Sequence, residues 1–269
     1  MKKKLNILTL SYLIFLVLLF LSGYLSGGLS DTVYYLAFIV PIGLCLFLTR
    51  EEGIEWKKHL TLDKDAVMLS WPLVFPTVAV IIIISFLTSF LIYELTGKTN
   101  SADLGDSYIL ALLTHALIPA VFEEALFRYL PLRLIAPHSS SCAIIVSAIF
   151  FALVHTDLFV IPYALIAGVI LMSITIATDS IIPSIIIHFI NNALSVTLYF
   201  IYFPGIDFLV YIWIGLLAIL SIIVIWRNRE EYEIPLLLVT EKGEGIKFTP
   251  LMISFAAITL ALAILKLRT

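Results

Sequence analysis

The chain has 269 residues and a formal net charge of −3, with 61% hydrophobic and only 13% charged residues. Soluble domains carry about 25% charged residues, and a mean hydropathy of +1.10 places this sequence among polytopic membrane proteins. It has no basic patch and no interleaving of basic with aromatic residues, which excludes a nucleic-acid binder.

A spanning helix needs about 20 mainly apolar residues. Nine segments qualify, near 5–27, 31–49, 66–95, 107–135, 139–156, 159–178, 181–203, 208–226 and 249–267. The expected fold class is all-α, a polytopic bundle of about eight to nine transmembrane helices around an intramembrane polar cavity. It forms a single integral membrane domain over 1–269. The first segment follows Lys2-Lys3-Lys4, like the start of a signal peptide. Its apolar core exceeds the usual ~7–15 residues and no small-residue cleavage site follows, so it reads as a span. The third holds Pro72 and Pro76 and is long enough to kink or tilt. The fifth is short. The tight join Thr178-Asp179-Ser180 makes its flanking helices antiparallel neighbours. Cys45 and Cys142 fall in apolar spans without ligand spacing and read as buried small hydrophobes.

Positive residues set the orientation. With the N-terminus inside, twelve Lys and Arg fall on the inner side and three (Lys98, Lys266, Arg268) on the outer, leaving Arg128 within a span. Loops 50–65 and 227–248 are then cytosolic, and the acidic loop 96–106 faces the other way. The short lysine-led start resembles that of a prokaryotic plasma-membrane protein.

The polar residues left inside the apolar runs are Glu123, Glu124 and Arg128 in the fourth span, His155 at the end of the fifth, and His188, Asn191 and Asn192 in the seventh. A charge near the bilayer centre costs about 2.5–3.5 kcal/mol, so such groups are functional candidates by default. Glu124 and Arg128 stand one turn apart with the acid N-terminal, the better order for a helical ion pair, and a structural role accounts for both. Glu123 lies about 100° further round the helix and is left without an intrahelical partner. It could serve as a proton-transfer group or as an ion site in a transporter. His155 alone reads as an interfacial residue. His188 and Asn192, four apart, share one helical face and point into a common cavity. Asn191 lies on a neighbouring face, suited to an interhelical hydrogen bond. His115 reads as packing or a local bond, His138 as interfacial and His59 as part of a cytosolic loop.

This set allows two chemistries. Glu123, His155 and His188 could bind zinc with a water in the open position. Alternatively, Glu123 assisted by His155 acts as general base on a water, while His188 and Asn192 donate to the oxyanion, with no metal. HExxH is absent, which argues against the commonest zinc-protease layout.

The order EExxxR (Glu123 to Arg128), FxxxH (Phe151 to His155) and HxxxN (His188 to Asn192) on three helices resembles the CAAX-processing and bacteriocin-processing (CPBP) family of intramembrane proteases, the Rce1-type or Abi group. The resemblance covers about 107–203. It implies an endopeptidase acting on a membrane-associated substrate, either prenylated and of CAAX type or a leader peptide. Glu123 would be the base, His155 its partner, His188 and Asn192 the oxyanion site, with Glu124, Arg128 and Phe151 in support. The metal-free account fits these residues, so no cofactor is expected, with zinc as the alternative. The implied partners are the lipid bilayer and a lipidated or membrane-associated peptide. The family also includes proposed immunity proteins and scaffolds, and a transporter is a further alternative. One geometric problem stands. Taking inner ends near 136, 139 and 181, a rise of about 1.5 Å per residue puts Glu123 about 20 Å deep, His155 about 24 Å and His188 about 10 Å. They can share a water only if the helices tilt or their ends are staggered.

Overall fold

The computed structural model describes residues 1–54, 64–99, 104–201, 206–228 and 248–268. Most of the two loops expected to be cytosolic, and His59, lie outside the described residues. Ten helices follow in order: α1 Lys2–Ser22, α2 Gly28–Leu48, α3 Lys64–Ser70, α4 Val74–Thr96, α5 Tyr108–Leu134, α6 Ser140–Leu153, α7 Ile161–Thr178, α8 Ile182–Phe200, α9 Ile206–Arg227 and α10 Pro250–Arg268. Among the described residues there is no strand. Eight helices among the described residues are long and apolar enough to cross a membrane. The exception among the nine expected segments is α6, whose 14 residues extend only about 21 Å, short of a ~30 Å hydrocarbon core. Pro72 breaks the third segment instead of kinking it. It sits in a 3₁₀ turn, Trp71–Leu73, between α3 and α4, because it cannot donate to a helical ladder. The outward surface is apolar, with Phe86, Phe90 and Leu91 of α4 and Trp213, Leu220 and Trp226 of α9 all exposed. A continuous apolar exterior is what hydrocarbon selects, and the chain is an integral membrane protein.

Helix α5 sits at the centre, in contact with α1, α2, α6, α7 and α8. It is irregular at two wide π turns, Leu112–Leu117 and Ala125–Tyr129. Each lies just before a proline, Pro119 and Pro131. A proline offers no N–H to the carbonyl four residues back and its ring crowds that carbonyl. Widening the turn relieves the crowding, and the freed carbonyls need other donors. Phe127 O, which faces Pro131 in sequence register, accepts the Ser147 hydroxyl from α6. Leu126 O accepts the Tyr12 hydroxyl from α1 at 3.3 Å. The prolines thus place a wide turn directly after Glu123-Glu124 and fix it with bonds from two neighbouring helices.

An aromatic column backs this turn. Tyr12 stacks on Phe127 at 4.8 Å, meets Phe150 at 4.8 Å, and Phe150 meets Phe255 of α10 at 4.6 Å. Each such pair contributes about 0.5–1.5 kcal/mol beyond its buried area. Helices α6 and α7 cross closely at Gly168, where a Cβ would stand 2.7 Å from the Ala148 Cα. Cys45 and Cys142 are free and buried, as expected. The α7–α8 turn is tight, with Asp179 in the left-handed region at φ 49. It is tied by a 2.7 Å contact between the hydroxyls of Thr175 and Ser184 and by Ser184 Oγ donating to Leu171 O at 2.9 Å.

Candidate active site

The two glutamates of α5 meet one imidazole of α8. His188, on the second turn of α8, is held from both sides by the two adjacent glutamates of α5. Its Nδ1 is 2.7 Å from Glu124 Oε1, and its Nε2 is 3.8 Å from Glu123 Oε2. These contacts hold although His188 lies only six residues into its helix, so the level helix ends assumed along the sequence do not apply.

Burial separates the two carboxylates. The side chain of Glu124 is 0% exposed and that of Glu123 17%. Arg128, also fully buried, brings its Nε to 3.2 Å from Glu124 Oε2, the ion pair its spacing predicted. The contact is electrostatic more than a directed hydrogen bond, since Nε, Nη1 and Nη2 all lack a hydrogen-bond acceptor. The ring of Phe151, 4.0 Å beneath the guanidinium carbon, offers its negative face instead. This cation–π contact contributes about 2 kcal/mol or more when desolvated. Phe151 also meets His188 edge-on at 5.8 Å and His155 at 5.1 Å. The aromatic residue of the second motif is the wedge that spaces the arginine and both histidines.

His155 follows the last turn of α6, partly exposed. Its Nδ1 lies 2.7 Å from Phe151 O. A carbonyl can only accept, so Nδ1 carries the proton and Nε2 is the free nitrogen. The hydrogen bond of His155 thus goes to its own helix. Asn192 lies one turn beyond His188, and its bond is to Asn191, whose Nδ2 donates to Asn192 Oδ1 at 3.2 Å. Asn191 therefore makes a bond within its helix instead of the interhelical one expected. With its oxygen engaged, Asn192 keeps its amide N–H groups as donors. His115 is exposed in the first wide turn, and His138 meets Lys4 at 3.3 Å; both lie apart from the site.

The alternative zinc set does not fit this arrangement. Among the described residues no group of three His, Cys, Asp or Glu side chains stands close enough to hold one ion.

Residues 105–194 match the family model described as Type II CAAX prenyl endopeptidase Rce1-like. No curated protein and no solved structure matches the chain. The matched segment covers about a third of the sequence and contains Glu123, Glu124, Arg128, Phe151, His155, His188 and Asn192. Over this segment, the central helix α5 and the helices that close round its glutamates, the chain is similar to the Type II CAAX prenyl endopeptidase Rce1-like family.

Proposed function

We propose that the protein is an intramembrane endopeptidase that hydrolyses a membrane-associated peptide, of prenylated CAAX or leader type, with Glu123 as the base. The observation that carries this reading is the difference between the adjacent carboxylates: Glu124 is sealed and shared between Arg128 and His188, while Glu123 keeps an accessible edge beside His188. Only an accessible carboxylate can take a proton from water.

The steps follow from the hydrogen bonds. Glu123 takes a proton from a water, and the hydroxide attacks the scissile carbonyl carbon. The free Nε2 of His155 helps to orient that water. The carbonyl electrons move to oxygen, and the oxyanion is met by donors from α8, His188 Nε2–H and the Asn192 amide. His188 can donate from Nε2 while Nδ1–H donates to Glu124 only as the imidazolium. Glu123, Glu124, Arg128 and that imidazolium then sum to no net charge, which suits a site removed from bulk water. Collapse of the intermediate breaks the C–N bond, and the proton on Glu123 passes to the leaving amine. The lysine-led end of α1 would face the cytosol, in keeping with the distribution of Lys and Arg.

The test is cleavage of a membrane-embedded peptide by the purified protein, with the cut mapped by mass spectrometry. The parent should cut at one bond, and His188→Ala and Asn192→Ala should each slow the cut by about 100-fold or more, as for loss of an oxyanion donor. Variants that cut like the parent would overturn the oxyanion roles, and a parent that cuts nothing would favour the non-catalytic scaffold or immunity class.

A further inference from the structure

His155 is the site residue with the least support from its own helix. Helix α6 ends at Leu153, and the chain then turns through Thr156, which is held at φ 46. This left-handed conformation is unfavourable for a β-branched residue and persists only where the surroundings impose it. What imposes it here is Asp157. Its Oδ1 accepts the Phe159 N–H at 2.9 Å, and its carbonyl accepts Val160 N–H at 3.0 Å and Ile161 N–H at 2.9 Å, opening α7. Its second carboxylate oxygen, Oδ2, is taken by Lys266 Nζ at 2.8 Å.

Lys266 belongs to the last turns of α10, outside the segment matched by the family. Helix α10 meets α6 in two places. The Phe150–Phe255 pair holds the middle at 4.6 Å. Around it lies an apolar hollow of about 310 Å³ bounded by Val146, Phe150, Leu153, Met252, Phe255 and Ala256. At the far end of α10 the ion pair ties Lys266 to the turn that follows α6. We propose that Lys266 is a positioning residue for the hydrolysis: through Asp157 it clamps the Thr156 turn and so sets the position of the His155 ring, one residue before that turn. This rests on the endopeptidase reading above.

The clamp is tested by a double-mutant cycle on the full-length protein. Lys266→Ala removes the cation. Asp157→Asn removes the charge but keeps an oxygen for the Phe159 N–H. Each should lower kcat by about threefold to fivefold with KM unchanged, the range an ion pair with an exposed lysine can transmit. The double variant should be no slower than either single, and Lys266→Arg should restore the rate. Raising the salt should slow the parent toward the level of Lys266→Ala, whose rate should not respond, because salt screens exposed charge. An unchanged kcat in Lys266→Ala, or losses that multiply in the double variant, would overturn the proposal. If the parent does not cleave at all, the endopeptidase reading has failed, and the clamp is judged by NMR of the ¹⁵N-labelled His155 ring. Its signals should shift or broaden in Lys266→Ala and return in Lys266→Arg; signals identical to the parent's would overturn the clamp.

Discussion

Removing the Glu124 carboxylate while leaving Arg128 in place should be among the most damaging single changes to this fold. Arg128 is fully buried and Glu124 is its ion-pair partner, with none of its side-chain nitrogens hydrogen-bonded. Losing one member of a buried pair destabilises by about 3–5 kcal/mol, because the remaining charge stays desolvated. Phe151 beneath the guanidinium does not offset this, since that contact is already present in the parent. Glu124→Ala also loses the 2.7 Å contact with His188 Nδ1, so the upper half of the range is expected. Adding Arg128→Met removes the stranded charge and should recover at least about 1–2 kcal/mol, since a buried pair replaced by apolar groups is often neutral or better. Equilibrium unfolding in mixed micelles, followed by circular dichroism, measures both. A Glu124→Ala variant within about 0.5 kcal/mol of the parent, the range of an ordinary surface substitution, would refute the reasoning. So would a double variant no more stable than the single.

Three further outcomes follow from the same geometry. Gly168→Ala should cost about 1–3 kcal/mol by overpacking, because its Cβ would fall 2.7 Å from the Ala148 backbone, whereas Gly215→Ala meets nothing within 4 Å and should be neutral; thermal unfolding of the two compares them. Pro131→Ala returns an N–H to the Phe127 carbonyl and should let the wide turn close to a regular one, leaving stability unchanged or raised while peptide cleavage falls, since the glutamates rotate relative to Arg128. At the end of the bundle, the bond from Lys3, aided by the charge of Lys4, holds the Glu52 carboxyl below its ordinary range. The stabilisation it gives is present at neutral pH and lost as pH falls through that lowered value. It amounts to no more than about 1 kcal/mol for so exposed a pair, and Glu52→Gln should abolish that acid-side loss in a pH series of unfolding midpoints.

Much of the site could be read from the sequence because charged side chains are conspicuous in apolar helices. Glu123, Glu124, Arg128, His155, His188 and Asn192 stood out for that reason, and the i,i+4 rule gave the Glu124–Arg128 pair. The rule could not show that Glu124 also holds His188, because that bond joins residues 64 apart on separate helices. A ruler laid along separate helices with level ends had put His188 and Glu123 at different depths. The eight helices long and apolar enough to cross were visible in hydropathy, and α6 was already the short one. Pro119 and Pro131 carried a local signal for the wide turns, since each proline leaves a known carbonyl without its donor. Asp157 and Lys266 carried none, being an acid and a base 109 residues apart whose meeting depends on the packing of α10. The choice of Glu123 over Glu124 rested in the sequence on helical angle; burial now supports it independently.

That choice is also where the account is most exposed to test. Glu123→Gln keeps the size and the hydrogen-bonding edge of a partly exposed side chain while removing its capacity to take a proton. Purified Glu123→Gln protein, assayed on the membrane-embedded peptide beside the parent, should unfold at the parent's temperature and cleave at least about 1,000-fold more slowly, consistent with loss of a general base contributing 10²–10⁴-fold. Cleavage by Glu123→Gln within about tenfold of the parent would contradict the assignment of Glu123 as the base.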